Sequence, residues 1–68
     1  MQTTIKYRKP NGSMGTSYTT KQGKQLAFIL RSIESKGNTL MEVRIPLVGT
    51  LLGTQIYEYI MKQTKRKG

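Results

Sequence analysis

Residues 3–19 read TTIKYRKPNGSMGTSYT, and this stretch decides the architecture. From Thr3 to Lys9 polar and apolar residues alternate, with Ile5 and Tyr7 on one side and Thr4, Lys6 and Arg8 on the other, as in a half-buried strand. Pro10 presets the first central position of a type I turn and Asn11 suits the second. Gly12 then takes the left-handed conformation that closes a hairpin with a bulge. Met14 to Thr19, rich in Thr, Ser and Tyr, is the returning strand. If Lys9 and Ser13 flank a three-residue loop, Arg8 faces Met14, Lys6 faces Thr16 and Thr4 faces Tyr18. One side of the ribbon is then basic and bears an aromatic ring. A register slip of one residue would exchange the two sides.

Working outward, Thr19 or Thr20 is placed to cap a helix, with Gln22 three residues after Thr19 and Gly23 as a weak spot in the first turn. Leu26, Ile29, Leu30 and Ile33 make one apolar stripe, and Gly37 and Asn38 stop the helix near Lys36. Thr39 to Ile45 alternates again, with Thr39, Met41, Val43 and Ile45 on one face and Leu40, Glu42 and Arg44 on the other, before Pro46 ends the ladder. A second helix is expected from near Thr50 to Thr64, since Val48, Leu52, Ile56, Tyr59 and Ile60 share a stripe. Gly49 and Gly53 flank that stripe, spacing that suits a backbone passing close to a sheet or, less readily, a self-association seam. The segment from Pro46 to Met61 falls short of the roughly 20 apolar residues that span a bilayer, and it contains Gln55 and Glu58.

The expected fold is therefore α+β, in β-β-α-β-α order: a three-stranded, mainly antiparallel sheet with two helices on one face. Residues 1–64 form one domain and 65–68 a basic tail. The third strand is expected beside the first, antiparallel. A chain of 68 residues buries only about 60% of the surface that its unfolded form exposes, so its core is thin. Leu47 and Leu51 fall outside the main stripe, and a homodimer is the expected way of covering the surplus.

Composition restricts function. The chain has no Cys and no His, which removes disulfides, most transition-metal sites, the usual general base near neutral pH and both Ser-His and Cys-His nucleophile pairs. Neither an enzyme nor a metal or other cofactor is expected. Against 12 Lys and Arg stand only Glu34, Glu42 and Glu58, a net charge of +9. Solubility in a small domain is served by roughly 2 to 8 net charges, so this excess points to polyanionic partners. The N-terminal residues alternate and contain no long apolar stretch, so a cytoplasmic protein is expected.

The residues expected to contact nucleic acid fall in three groups. Lys6, Arg8, Lys9 and Tyr18 lie on the hairpin, where cations neutralise phosphates and a Tyr offers a stacking platform. Lys21, Lys24, Phe28 and Arg31 lie on the outward side of the first helix, with the only Phe among cations; a rotated helix or a subunit contact would instead cover that ring. Lys62, Lys65, Arg66 and Lys67 form the C-terminal cluster, where cations also suit a helix C-terminus. The expected function is non-enzymatic binding of DNA or RNA through mainly phosphate contacts. The alternative is an accessory or inhibitor protein docking on an acidic protein through the same charge plus Phe28, Leu47 or Leu51. Peripheral attachment to anionic membranes is a weaker third reading.

Overall fold

The computed structural model describes residues 1–64. Its elements are β1 (Thr3–Arg8), β2 (Met14–Thr19), α1 (Lys24–Ser35), β3 (Thr39–Ile45), β4 (Gly49–Leu52) and α2 (Thr54–Thr64). The strands form one antiparallel sheet in the order β2-β1-β3-β4. The chain thus consists of two successive β-β-α units whose first strands, β1 and β3, meet at the centre of the sheet.

The first hairpin has the loop that its sequence specifies. The Lys9 N–H donates to the Ser13 carbonyl at 2.6 Å, the Gly12 N–H to the Lys9 carbonyl at 2.9 Å, and Gly12 sits at φ 94°. The Asn11 side chain accepts from the Ser13 N–H at 2.9 Å. This loop sets the pairing of Thr4 with Tyr18, Lys6 with Thr16 and Arg8 with Met14.

The core is assembled on one face of the sheet. Ile5 from β1 and Leu40, Val43 and Ile45 from β3 are buried together with Leu26, Ala27 and Leu30 of α1 and Ile56 and Ile60 of α2. Each fully buried aliphatic side chain contributes on the order of 1.5–3 kcal/mol. Both helices therefore cover the same sheet face and leave the other uncovered.

Three sequence expectations need correction. First, there are four strands: residues 49–52 extend the sheet beside β3 and are not helical. The chain reverses at Pro46 and Leu47, with the Val48 N–H donating to the Ile45 carbonyl at 3.1 Å and Leu47 at φ 68°. Gly53, at φ 56°, then breaks the strand and starts α2. Neither Gly49 nor Gly53 is a close-packing site, since a Cβ added at either would meet nothing within 4 Å. Their role is backbone conformation. Second, β3 does not keep one phase. Lys6 pairs with Glu42 and Tyr7 with Leu40, so Met41 is the extra residue of a bulge. That bulge returns Leu40 to the core and leaves Met41 exposed, the reverse of their alternation.

Third, α1 begins at Lys24, after Gly23 at φ 62°, and no side chain caps it. Thr19 instead accepts from the Lys21 N–H at 3.0 Å, closing a local turn before the helix. Tyr59 from α2 compensates at this end, its hydroxyl accepting from the Gly23 N–H at 3.2 Å. At the other end Gly37, at φ 93°, ends α1, and the Asn38 side-chain amide donates to the Ile33 carbonyl at 2.9 Å.

Candidate nucleic-acid interface

The uncovered sheet face follows from the registers. One row across the four strands runs Tyr18, Thr4, Arg44, Thr50, the next runs Thr16, Lys6, Glu42, Leu52, and the third runs Met14, Arg8, Thr39. Neighbouring strands lie about 4.8 Å apart, so Tyr18 and Arg44, two strands removed, are separated by roughly 10 Å at the backbone. Lys6, Arg8, Arg44 and Tyr18 are all exposed, Tyr18 at 60%.

Three cations and one carboxylate share this face. Glu42 stands opposite Lys6 and accepts from the Arg44 guanidinium at 3.4 Å, a surface pair worth about 0–1 kcal/mol. The excess is positive. Threonines at positions 4, 16, 39 and 50 add short hydroxyl groups between the charges, within reach of phosphate oxygens. Arg44 was not among the residues expected here. The signal that finds it is the pairing of the third strand beside the first, which brings the Arg44 side of β3 next to the Lys6 side of β1.

The remaining expected residues do not join this face. Lys9 is exposed in the hairpin turn. Lys21, Lys24, Phe28 and Arg31 belong to the outside of the helical layer, because Leu26, Ala27 and Leu30 commit the opposite side of α1 to the sheet. Phe28 is 75% exposed. A shallow groove on one side of its ring is lined by Lys21, Lys24, Gln25 and Ile29, and one on the other by Arg31, Ser32 and Ser35. Lys62 is exposed on α2, and Lys65, Arg66 and Lys67 lie outside the described residues.

The two basic surfaces are thus back to back, separated by the thickness of a helix-on-sheet sandwich. A rigid ligand resting on one does not touch the other.

Among the described residues, no three His, Cys, Asp or Glu side chains come together as a metal site, and no helix is long and apolar enough to cross a membrane. The tyrosine that departs most from ordinary behaviour lies between the helices. The Tyr57 hydroxyl donates to the Glu34 carboxylate, and this hydrogen bond, with partial desolvation and the Glu34 charge, raises its pKa above the usual 10.0. That pair links α2 to α1.

The fold and the uncovered face together describe a small α+β protein with a four-stranded antiparallel sheet open on one side. Comparison with protein-family models, with curated proteins and with solved structures finds no match for the chain.

Proposed function

We propose that this protein binds nucleic acid without catalysis, through the uncovered sheet face and mainly through phosphates. The observation that supports the reading is the arrangement of Lys6, Arg8 and Arg44 around Thr4 on a face that no helix covers, with Tyr18 at its edge. A sheet face of this kind lets a strand of nucleic acid lie across it, cations meeting the backbone and the tyrosine ring meeting a base. The net charge of +9 draws the polyanion in, and the basic residues 65–67 add sequence-independent attraction.

The test is a fluorescence titration with single-stranded and duplex oligomers between about 50 and 200 mM salt, where log affinity falls with log salt at a slope near −0.9Z for duplex or −0.7Z for single strands, Z being the phosphates neutralised. Lys6→Gln, Arg8→Gln and Arg44→Gln should each reduce the slope by about 1. Tyr18→Ala should weaken single-strand binding by about 1–3 kcal/mol if a base stacks on the ring. Binding that ignores salt, or that is lost in Lys24→Gln and Arg31→Gln but retained in the sheet variants, would remove this reading.

A second reading is favoured by Phe28. A ring this exposed, ringed by Lys21, Lys24 and Arg31 and turned away from the sheet, suits an apolar anchor on an acidic protein partner. Retention of a protein from nuclease-treated lysate, lost in Phe28→Ala and unaffected in Arg8→Gln, would favour it.

A further inference from the structure

The two edges of the sheet are guarded differently. On β4 the strand is only four residues long, and the outward Leu52 N–H is already taken by the Gln55 side-chain carbonyl at 3.1 Å. On β2 no such guard exists. The strand Met14–Thr19 has six residues, none charged and none proline, in a protein where unprotected edges are usually blunted by one or the other. Alternation from the Lys9–Ser13 hydrogen bond leaves the N–H and C=O groups of Met14, Thr16 and Tyr18 pointing away from β1.

We propose that this edge pairs with β2 of a second copy, antiparallel about a two-fold axis at Thr16. Two independent features of β2 select that partner and that register. The first is hydrogen bonding. With Thr16 on the axis, the outward residues pair only with one another, Thr16 with Thr16 and Met14 with Tyr18, giving three pairs that each exchange two bonds. Moving the axis by one residue to Ser17 leaves two such pairs with outward groups on both sides. The second is side-chain complementarity. Met14 and Tyr18 are the two exposed large side chains of the strand, at 55% and 60%, and they stand two residues either side of Thr16 on the same face. The two-fold sets each Met14 beside the partner's Tyr18, a sulfur-aromatic contact at the edge of the ring that leaves its outer face open.

Charge permits the pairing. Residues 10–20 contain no side chain charged at neutral pH, and on the row that crosses the axis the cations facing each other are the two copies of Lys6. Three strand spacings, about 14 Å, separate them at the backbone, beyond the ≈8–10 Å screening length at physiological salt. Along the β2 edge two strongly basic chains thus approach without opposing charge on the paired strands. The paired sheet has eight strands and one continuous open face. The partner's Tyr18 enters the row through Arg8 and Met14, so each half of the face is completed by the other copy.

The dimer does not depend on what the open face binds, and its test contains no nucleic acid. Sedimentation of the full chain from about 1 to 500 μM should show a reversible monomer-dimer equilibrium, because pairing along one strand buries less than a standard interface. Thr16→Lys places like charges on the axis and should weaken dimerisation by about tenfold or more while the circular dichroism spectrum stays unchanged. The chain has no cysteine, so Thr16→Cys is a clean probe: Cα atoms about 5.5 Å apart are within disulfide range. With oxidised glutathione it should form a covalent dimer, and Thr50→Cys on the other edge should not. A chain monomeric throughout, undiminished dimerisation in Thr16→Lys, or equal cross-linking at both edges would overturn the proposal.

Discussion

At Leu47 the backbone adopts φ 68°, a conformation that costs a side chain with a Cβ about 1–2 kcal/mol, yet the residue is 96% exposed. No contact offsets the strain. Leu47→Gly should therefore raise stability by roughly 0.5–1 kcal/mol in a urea titration, the strain relieved exceeding the entropy that glycine adds to the unfolded chain. Thr3 presents the converse situation. It is buried on the core face of β1, and its hydroxyl has no hydrogen-bond partner among the described residues. Thr3→Val keeps the shape and removes the unpaired oxygen, so it should be neutral to stabilising by about 1 kcal/mol in the same measurement. Gly53 completes the set. Its φ of 56° with open space around the position means that Gly53→Ala should lose about 1 kcal/mol through backbone strain alone.

At the scale of elements, β1, β2, α1 and β3 were legible because each has a signal that survives folding: alternation, a loop of defined length, or an apolar stripe. β4 was not, since four residues are too few to alternate convincingly and Val48, Leu52, Ile56 and Ile60 fit a helix of one piece. Gly49 and Gly53 held the information, but as backbone conformations and not as packing. The bulge at Met41 left one mark in the sequence, the adjacent apolar pair Leu40 and Met41 where polar and apolar residues otherwise alternate, but pairing with β1 determines which of them is the extra residue. The candidate site shows the same division. The hairpin fixed Lys6, Arg8 and Tyr18 on one side, whereas Arg44 joins them only through strand order. Helix pairing offers its own test. Tyr57 donates to Glu34, so Tyr57→Phe should cost up to about 1 kcal/mol at neutral pH. Because the folded pKa of Tyr57 is raised, its contribution is full below pH 10 and is lost as pH rises through the folded value. The stability difference between the two proteins should therefore shrink as pH rises into the alkaline range, as thermal melts across that range would show.

For the whole molecule, charge acts with opposite sign on folding and on binding. Three carboxylates cannot balance 12 cations in a body with an 11.5 Å radius of gyration, so self-repulsion opposes compaction. Raising salt from about 10 to 150 mM should increase the melting temperature while weakening attachment to a polyanion. A melt and a titration in matched buffers separate the two effects. The back-to-back placement of the basic surfaces also separates their variants: Arg8→Gln and Phe28→Ala lie on opposite sides and should affect their respective partners additively.

The meeting of β1 with β3 has a consequence in time. Each hairpin, β1 with β2 and β3 with β4, closes on contacts made within its own stretch of chain, but the central ladder joins Arg8 to Thr39 and Thr4 to Arg44, across more than thirty residues. Pairing of that separation pays its loop-closure entropy before any contact rewards it. The hairpins are then the early events and the seam between the two halves the late one. Pulsed hydrogen exchange during refolding should find the amides linking β1 to β2 protected before those linking β1 to β3, a single strand acquiring its two neighbours at two different moments.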